Sequence, residues 1–142
     1  MRAIYLDTSA ALKQVRREQH SNALVDYLVS TTDDGIAITS SVLLDIELAR
    51  FAVREGLDHD EHVAPVLGPV ARRQISRQVV RDAIAIGIHI RSLDAIHVAT
   101  AAALGEDLVS VVTYDKQMVH AANHLGLPVI SPGVPGNTHI PT

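Results

Sequence analysis

Ala3-Ile4-Tyr5-Leu6-Asp7-Thr8-Ser9 decides how the rest of the chain is read. Four apolar, strand-compatible residues run into an acid and two hydroxyl residues of the kind that open helices, which predicts strand, turn and then a helix from about Ser9 towards Gln19. The same grammar returns late in the chain. Leu108-Val109-Ser110-Val111-Val112-Thr113 is a valine-rich run suited to a strand buried on both faces, and Asp115 follows it at the head of a helix carrying Met118, Ala122 and Leu125. Two buried strands that each end in an aspartate put both acids at the carboxyl edge of a parallel sheet, where such sheets bind ligands.

The intervening sequence supplies the alternation that a parallel sheet needs. Ala23, Leu24, Tyr27 and Leu28 repeat at helical spacing until Thr31-Thr32-Asp33-Asp34-Gly35 breaks the pattern, and Ile36 to Thr39 reads as the next strand. Ser40 or Ser41 then caps a helix from Val42 to about Arg54 that ends at Gly56. Residues 57–69, rich in turn formers, read as a loop or short helix. From Arg72 to Ile86 the spacing of Ile75, Val79, Ala83 and Ile86 predicts a helix closed by Gly87, and Ser92 opens an alanine-rich helix that runs to Gly105. Pro128 to Ser131 makes a last short strand. The expected fold is α/β, a three-layer α/β/α sandwich around a central parallel sheet, with a single domain over residues 1–131 and a flexible tail over 132–142.

Composition narrows the function classes. At 142 residues the chain is long enough to bury a core by itself, and without cysteine it can form neither disulfides nor thiolate zinc sites. No apolar stretch approaches the roughly 18 residues of a membrane span, and Asp7 interrupts the first apolar run before it can serve as an export signal. A soluble, cytoplasmic protein is expected. The net charge of −4 argues against a broad basic nucleic-acid surface, but Lys13, Arg16, Arg17, Arg50 and Arg54 remain able to touch phosphates.

Four acids, Asp7, Glu47, Asp94 and Asp115, lie at the ends of apolar runs or within them. Burying carboxylates without compensation is costly, so a cation is expected among them. Mg²⁺, with Mn²⁺ as substitute, suits an all-oxygen donor set, keeps several waters, and activates a water for in-line attack on a phosphodiester. Thr8, Ser9 and Thr113 stand beside Asp7 and Asp115 as hydroxyls able to orient carboxylates or water.

At these residues the chain resembles a known family. Tyr5-Leu6-Asp7-Thr8-Ser9-Ala10, Leu44-Asp45-Ile46-Glu47-Leu48, Ser92-Leu93-Asp94-Ala95-Ile96-His97-Val98-Ala99-Thr100-Ala101 and Val112-Thr113-Tyr114-Asp115 look like the ordered motifs of PIN domains, most of all those of VapC toxins from VapBC toxin-antitoxin pairs. The resemblance runs from Met1 to about Ser131. It implies an Mg²⁺-dependent endoribonuclease with Asp7, Glu47, Asp94 and Asp115 as metal-binding and catalytic acids, a homodimer, and a cognate VapB-type antitoxin whose C-terminal segment obstructs the site. One departure is visible: many relatives carry a further acid two residues past the last motif aspartate, where this chain has Gln117.

Plainer roles compete at each position. Asp7 can be a helix N-cap, Asp94 a first-turn acid favoured by the helix dipole, and Glu47 a solvated residue with Asp45 turned inward instead. His97, three residues after Asp94, is either a hydrogen-bonded core histidine or a neighbour of the site, while His59, His62, His120 and His124 read as surface or core residues. The basic residues read most simply as solvated helix faces. Two rival functions stay open: phosphoryl transfer with an aspartyl nucleophile, opposed by the lack of an acid two residues after Asp7, and a binding module that has lost catalysis.

Overall fold

In the computed structural model, residues 1–136 and 138–139 are described. The chain begins with β1 (Ala3–Leu6), α1 (Thr8–Val15), α2 (Ser21–Asp33), β2 (Ala37–Ser41) and α3 (Leu43–Glu55). Two single-turn helices, α4 (His59–His62) and α5 (Ala64–Leu67), lead to β3 (Val70–Arg73) and α6 (Arg77–Ile84). The second half comprises α7 (Ser92–Ala102), β4 (Leu108–Val112), α8 (Lys116–His124), β5 (Val129–Ile130) and β6 (Thr138–His139).

The strands form one sheet in the order β3-β2-β1-β4-β5-β6, parallel throughout except for β6, which pairs antiparallel with β5 at one edge. After β1 the chain builds outward through β2 and β3, then crosses to the other side of β1 for β4. The order of construction therefore reverses between β1 and β4, and Asp7 and Asp115 follow these two strands. This is the crevice in which open α/β sheets hold ligands.

Side-chain alternation along β1 assigns the layers. Ile4 and Leu6 pack with Ala10, Ala11, Leu24, Leu28, Leu44 and Leu48 from α1, α2 and α3, whereas Tyr5 faces Val98, Ala101, Met118 and Ala122 from α7 and α8. The period of two thus feeds one core on each face of the sheet. All four residues of β1 are buried, as the uninterrupted apolar run requires of a central strand.

Several boundaries differ from the expectations. The helix foreseen from Arg72 is instead strand β3 followed by α6, and it ends before Gly87. Val70-Ala71-Arg72-Arg73 carries one buried apolar residue and three exposed ones, so it has the weak signature of a charged edge strand. Arg72 holds it locally: its guanidinium donates to the carbonyls of Leu67 and Val70 and pairs with Asp45 at 3.2 Å. Ser92 is the first residue of α7 and not its cap, which is Arg91. Helix α1 stops at Val15, four residues short of Gln19. Strand β6 falls in the stretch expected to be a flexible tail, and Tyr114 donates its hydroxyl to the Pro132 carbonyl at 2.7 Å. Asn137, Ile140, Pro141 and Thr142 of that stretch lie outside the described residues.

Candidate active site

Asp7, Glu47, Asp94 and Asp115 all line one cleft of about 330 Å³ at the carboxyl edge of the sheet, together with Thr8, Ser9, Leu12, Arg91, Ser92, Leu93 and His97. Each acid arrives from a different element: the end of β1, the second turn of α3, the first turn of α7, and the residue preceding α8. Residues separated by as many as 108 positions in sequence are thereby collected by the topology.

Asp7 is buried, and it is not the side-chain cap that its position suggests. Its Oδ2 accepts from Ser9 Oγ at 3.0 Å and from Thr113 Oγ1 at 2.7 Å, so two hydroxyls hold one oxygen and leave Oδ1 outside their grip. Thr113 Oγ1 also accepts from the Asp115 backbone N–H at 3.1 Å, joining the two strand-end acids through one hydroxyl. Asp115 does cap α8, its Oδ1 accepting from the Gln117 N–H at 2.8 Å. Gln117, the departure from the family pattern, contributes this backbone donor, and its side chain is absent from the cleft lining.

Glu47 is held through Oε1, which accepts from Thr8 Oγ1 at 2.8 Å and lies 2.6 Å from His97 Nε2. Thr8 was expected beside Asp7; the first turn of α1 carries its hydroxyl to Glu47 instead. His97 is buried among the core residues of α7, and Tyr5 Oη lies 2.6 Å from its Nδ1. A neutral ring protonated on Nε2 satisfies both contacts, with Tyr5 donating to Nδ1 and Nε2 donating to Glu47. Burial pushes the imidazole pKa down, but the Glu47 hydrogen bond and the negative charges of Asp7, Glu47 and Asp94 outweigh it, and the net shift is upward. His97 is thus both a core histidine and a wall of the cleft. Burial pushes Tyr5 well above the ordinary phenol range, so its hydroxyl stays protonated as a donor.

Asp94 is buried, and desolvation raises its pKa against the opposing pull of Arg91. Arg91 Nε donates to Asp94 Oδ2 at 2.7 Å, while a terminal nitrogen of the same guanidinium pairs with Asp115 Oδ2. The hydrogen bond that Arg91 donates to Asp94, with the charges of Asp94 and Asp115, raises the arginine pKa. Sequence reasoning passed over Arg91; its signal was the three-residue spacing to Asp94 on a helix start.

The remaining candidates lie elsewhere. Asp45 forms its ion pair with Arg72 away from the cleft, leaving Glu47 as the inward acid of α3. Lys13 is buried, against the expectation of a solvated face: its Nζ donates to the Gln19 carbonyl at 2.8 Å and sits 4.5 Å from the centre of the Tyr114 ring. Arg16 and Arg54 flank the Phe51 ring, and Arg16 pairs with Glu55 at 2.9 Å. His59 pairs with exposed Asp60, and His120 and His124 are exposed on α8.

The donor set suits a hard divalent cation, because every candidate ligand in the cleft apart from His97 is a carboxylate or hydroxyl oxygen. Among the described residues, however, no group of three or more acidic, histidine or cysteine side chains is drawn together closely enough to form a ready-made cage. Mg²⁺ needs only one or two direct carboxylates when waters complete its shell, so the cleft fits such an ion in chemistry while two of its acids, Asp94 and Asp115, pair with Arg91.

Comparisons with known proteins follow the same line. The PIN domain family model matches residues 4–123. Ribonuclease VapC35 of Mycobacterium tuberculosis is 40% identical over 137 residues, covering 92% of this chain and 97% of that protein. Ribonuclease VapC46 of the same organism is 37% identical over 144 residues, covering 93% and 99%. Among solved structures, VapBC2 from Rickettsia felis bound to a promoter DNA fragment aligns with a TM-score of 0.71 at 14% identity over 90% of this chain and 97% of that one. A toxin-antitoxin complex from Klebsiella pneumoniae aligns at 0.61 and 17% identity, covering 92% and 97%. The two solved structures speak for the fold alone, but the length and identity of the VapC matches and the family model go further: this chain belongs to the PIN domain family, in the branch of the VapC ribonucleases.

Proposed function

We propose that this protein is the toxin of a type II toxin-antitoxin pair, a divalent-metal-dependent endoribonuclease that hydrolyses RNA phosphodiester bonds in the cytoplasm. The reading rests on the convergence of Asp7, Glu47, Asp94 and Asp115 on one cleft in a chain whose relatives are named ribonucleases. These four acids would hold Mg²⁺, or Mn²⁺ in its place, directly or through water. The chemistry supplied at such a centre is activation of a water for in-line attack and relief of charge on the leaving oxygen.

The protein's own residues prepare the cleft for that role. Ser9 and Thr113 fix Asp7 through Oδ2, so that Oδ1 is the oxygen available for a ligand. Thr8 and His97 fix Glu47 in the same way through Oε1. Pre-positioned acids lose little freedom when they engage, which favours the reactive arrangement.

Partners follow from the same reading. A VapB-type antitoxin is supported by structural neighbours described as toxin-antitoxin complexes. Self-association into a homodimer is supported by the apolar groove of Val80, Ile84, Ile86, Ile90 and Ile96, where Ile84 is 79% exposed. The decisive experiment is cleavage of a mixed cellular RNA pool with Mg²⁺ or Mn²⁺, comparing wild type, Asp7→Ala and an EDTA control by end mapping. Discrete cuts lost in both controls are expected; cuts that persist in a folded Asp7→Ala protein would overturn the assignment.

A further inference from the structure

Arg91 occupies an unusual place. It is the N-cap of α7, where the helix macrodipole disfavours a cation, and its side chain is 65% exposed. Its pairing with Asp94 compensates a buried carboxylate, but neither that nor helix capping accounts for the second reach of the same guanidinium, to Asp115. What it does is geometric. One guanidinium fork reaches Asp94 in the first turn of α7 and Asp115 immediately before α8, tying together two of the four cleft acids through their Oδ2 atoms. The planar fork allows one side chain to serve two carboxylates at once. Asp7 and Glu47, by contrast, are held by uncharged hydroxyls and by His97.

The geometry points to Arg91 as a built-in counter-ion of the cleft, a latch on Asp94 and Asp115 that a divalent cation has to displace before these acids can serve it. This inference rests on the metal-site reading above and deepens it. The latch accounts for two observations together: four acids share a cleft, yet no three of them are gathered into a cage. Arg91 thereby sets the metal concentration at which the site loads. Because the side chain is exposed and rooted in an extended residue outside the helix, it can swing into solvent without disturbing the core.

The test is Mn²⁺ binding to the full-length, metal-stripped protein by titration calorimetry, with wild type, Arg91→Gln, Arg91→Lys and Asp7→Asn. Arg91→Gln is expected to bind Mn²⁺ about 3- to 10-fold more tightly than wild type, the range that loss of one or two partly exposed ion pairs allows. Arg91→Lys separates a latch from mere charge. Lysine keeps the charge but cannot fork between two acids, so a latch predicts tighter binding here too, and a simple field effect predicts wild-type affinity. In parallel, the Arg91 Nε–H resonance should be protected in EDTA and lose that protection when diamagnetic Mg²⁺ is added. If wild type binds Mn²⁺, Asp7→Asn abolishes binding, and both Arg91 variants match or fall below wild type, the latch is refuted while the metal site stands. If no variant binds Mn²⁺ at all, the metal site and the latch fall together.

Discussion

His97 Nε2 lies 2.6 Å from Glu47 Oε1, and on the far side of the same ring Tyr5 Oη lies 2.6 Å from Nδ1. A core residue of the central strand is thus connected through one imidazole to an acid of the cleft. His97→Ala removes that connection, leaves Tyr5 without its ring partner and opens a void in the core beside α7. The variant is expected to lose about 2–3 kcal/mol of stability, measurable by urea denaturation. At temperatures where it remains folded, activity should fall about 10- to 100-fold through kcat with KM little changed, because Glu47 loses orientation while substrate contacts persist. A folded variant with unchanged kcat would show that His97 serves the core alone.

The raised pKa of His97 has a definite sign for stability. A group whose folded pKa lies above its unfolded value contributes stability that is present in full below the ordinary histidine value of about 6.5 and disappears as pH rises through the folded value. In EDTA, wild type should therefore lose stability through this group as pH rises above about 6.5, and His97→Gln should show a flatter profile on that alkaline side. Chemical denaturation across the range checks it. A wild-type profile no steeper than that of the variant would contradict the upward shift.

Asp7 is a buried carboxylate whose side-chain partners are hydroxyls. Asp7→Asn keeps an oxygen to accept from Ser9 and Thr113 while removing a desolvated charge. The metal-free variant should be at least as stable as wild type, and its activity should fall by about two orders of magnitude or more. Saturating Mg²⁺ should stabilise wild type by about 1.4 kcal/mol at ten times the dissociation constant and leave the variant unchanged. Thermal melts with and without Mg²⁺ separate these outcomes.

Thr113 joins two acids by one hydroxyl, donating to Asp7 Oδ2 at 2.7 Å and accepting from the Asp115 N–H at 3.1 Å. Thr113→Val keeps the shape and removes both bonds, together with the 3.1 Å hydroxyl contact to Ser9 Oγ. A loss of about 1–3 kcal/mol is expected because a buried carboxylate oxygen loses a donor, with metal affinity weakened about tenfold. Thr113→Ser should restore most of both. If the serine variant behaved like the valine variant, the methyl group and not the hydroxyl would be the contributing part.

Leu48 is fully buried between α3 and the sheet, one residue from Glu47. Leu48→Ala should cost about 2–5 kcal/mol and lower the melting temperature by roughly 10 °C, while cleavage measured well below the transition stays within a few-fold of wild type. A large loss of activity in the still-folded protein would mean that the orientation of Glu47 depends on packing beneath α3 as well as on Thr8 and His97.

What the sequence determined by itself is local and periodic. Ala3 to Leu6 and Leu108 to Val112 declare buried strands because an unbroken apolar run admits no solvent face, and the acids that follow them are fixed at the strand ends by chain connectivity. Alternation of strand and helix then leaves a parallel sheet as the economical arrangement. Edge strand β3 was illegible, since Arg72 and Arg73 are held by pairing with β2 and by carbonyls of the preceding turn, not by burial. The tertiary structure alone decided that Thr8 serves Glu47, that Asp45 turns to Arg72, that Lys13 is buried beside Tyr114, and that Arg91 bridges Asp94 and Asp115. The physical reason is common to all four. Hydrophobic patterning specifies which face of an element is buried, but a hydrogen bond or ion pair depends on the position of a second element to within an ångström, and that position is set by the packing of the whole core.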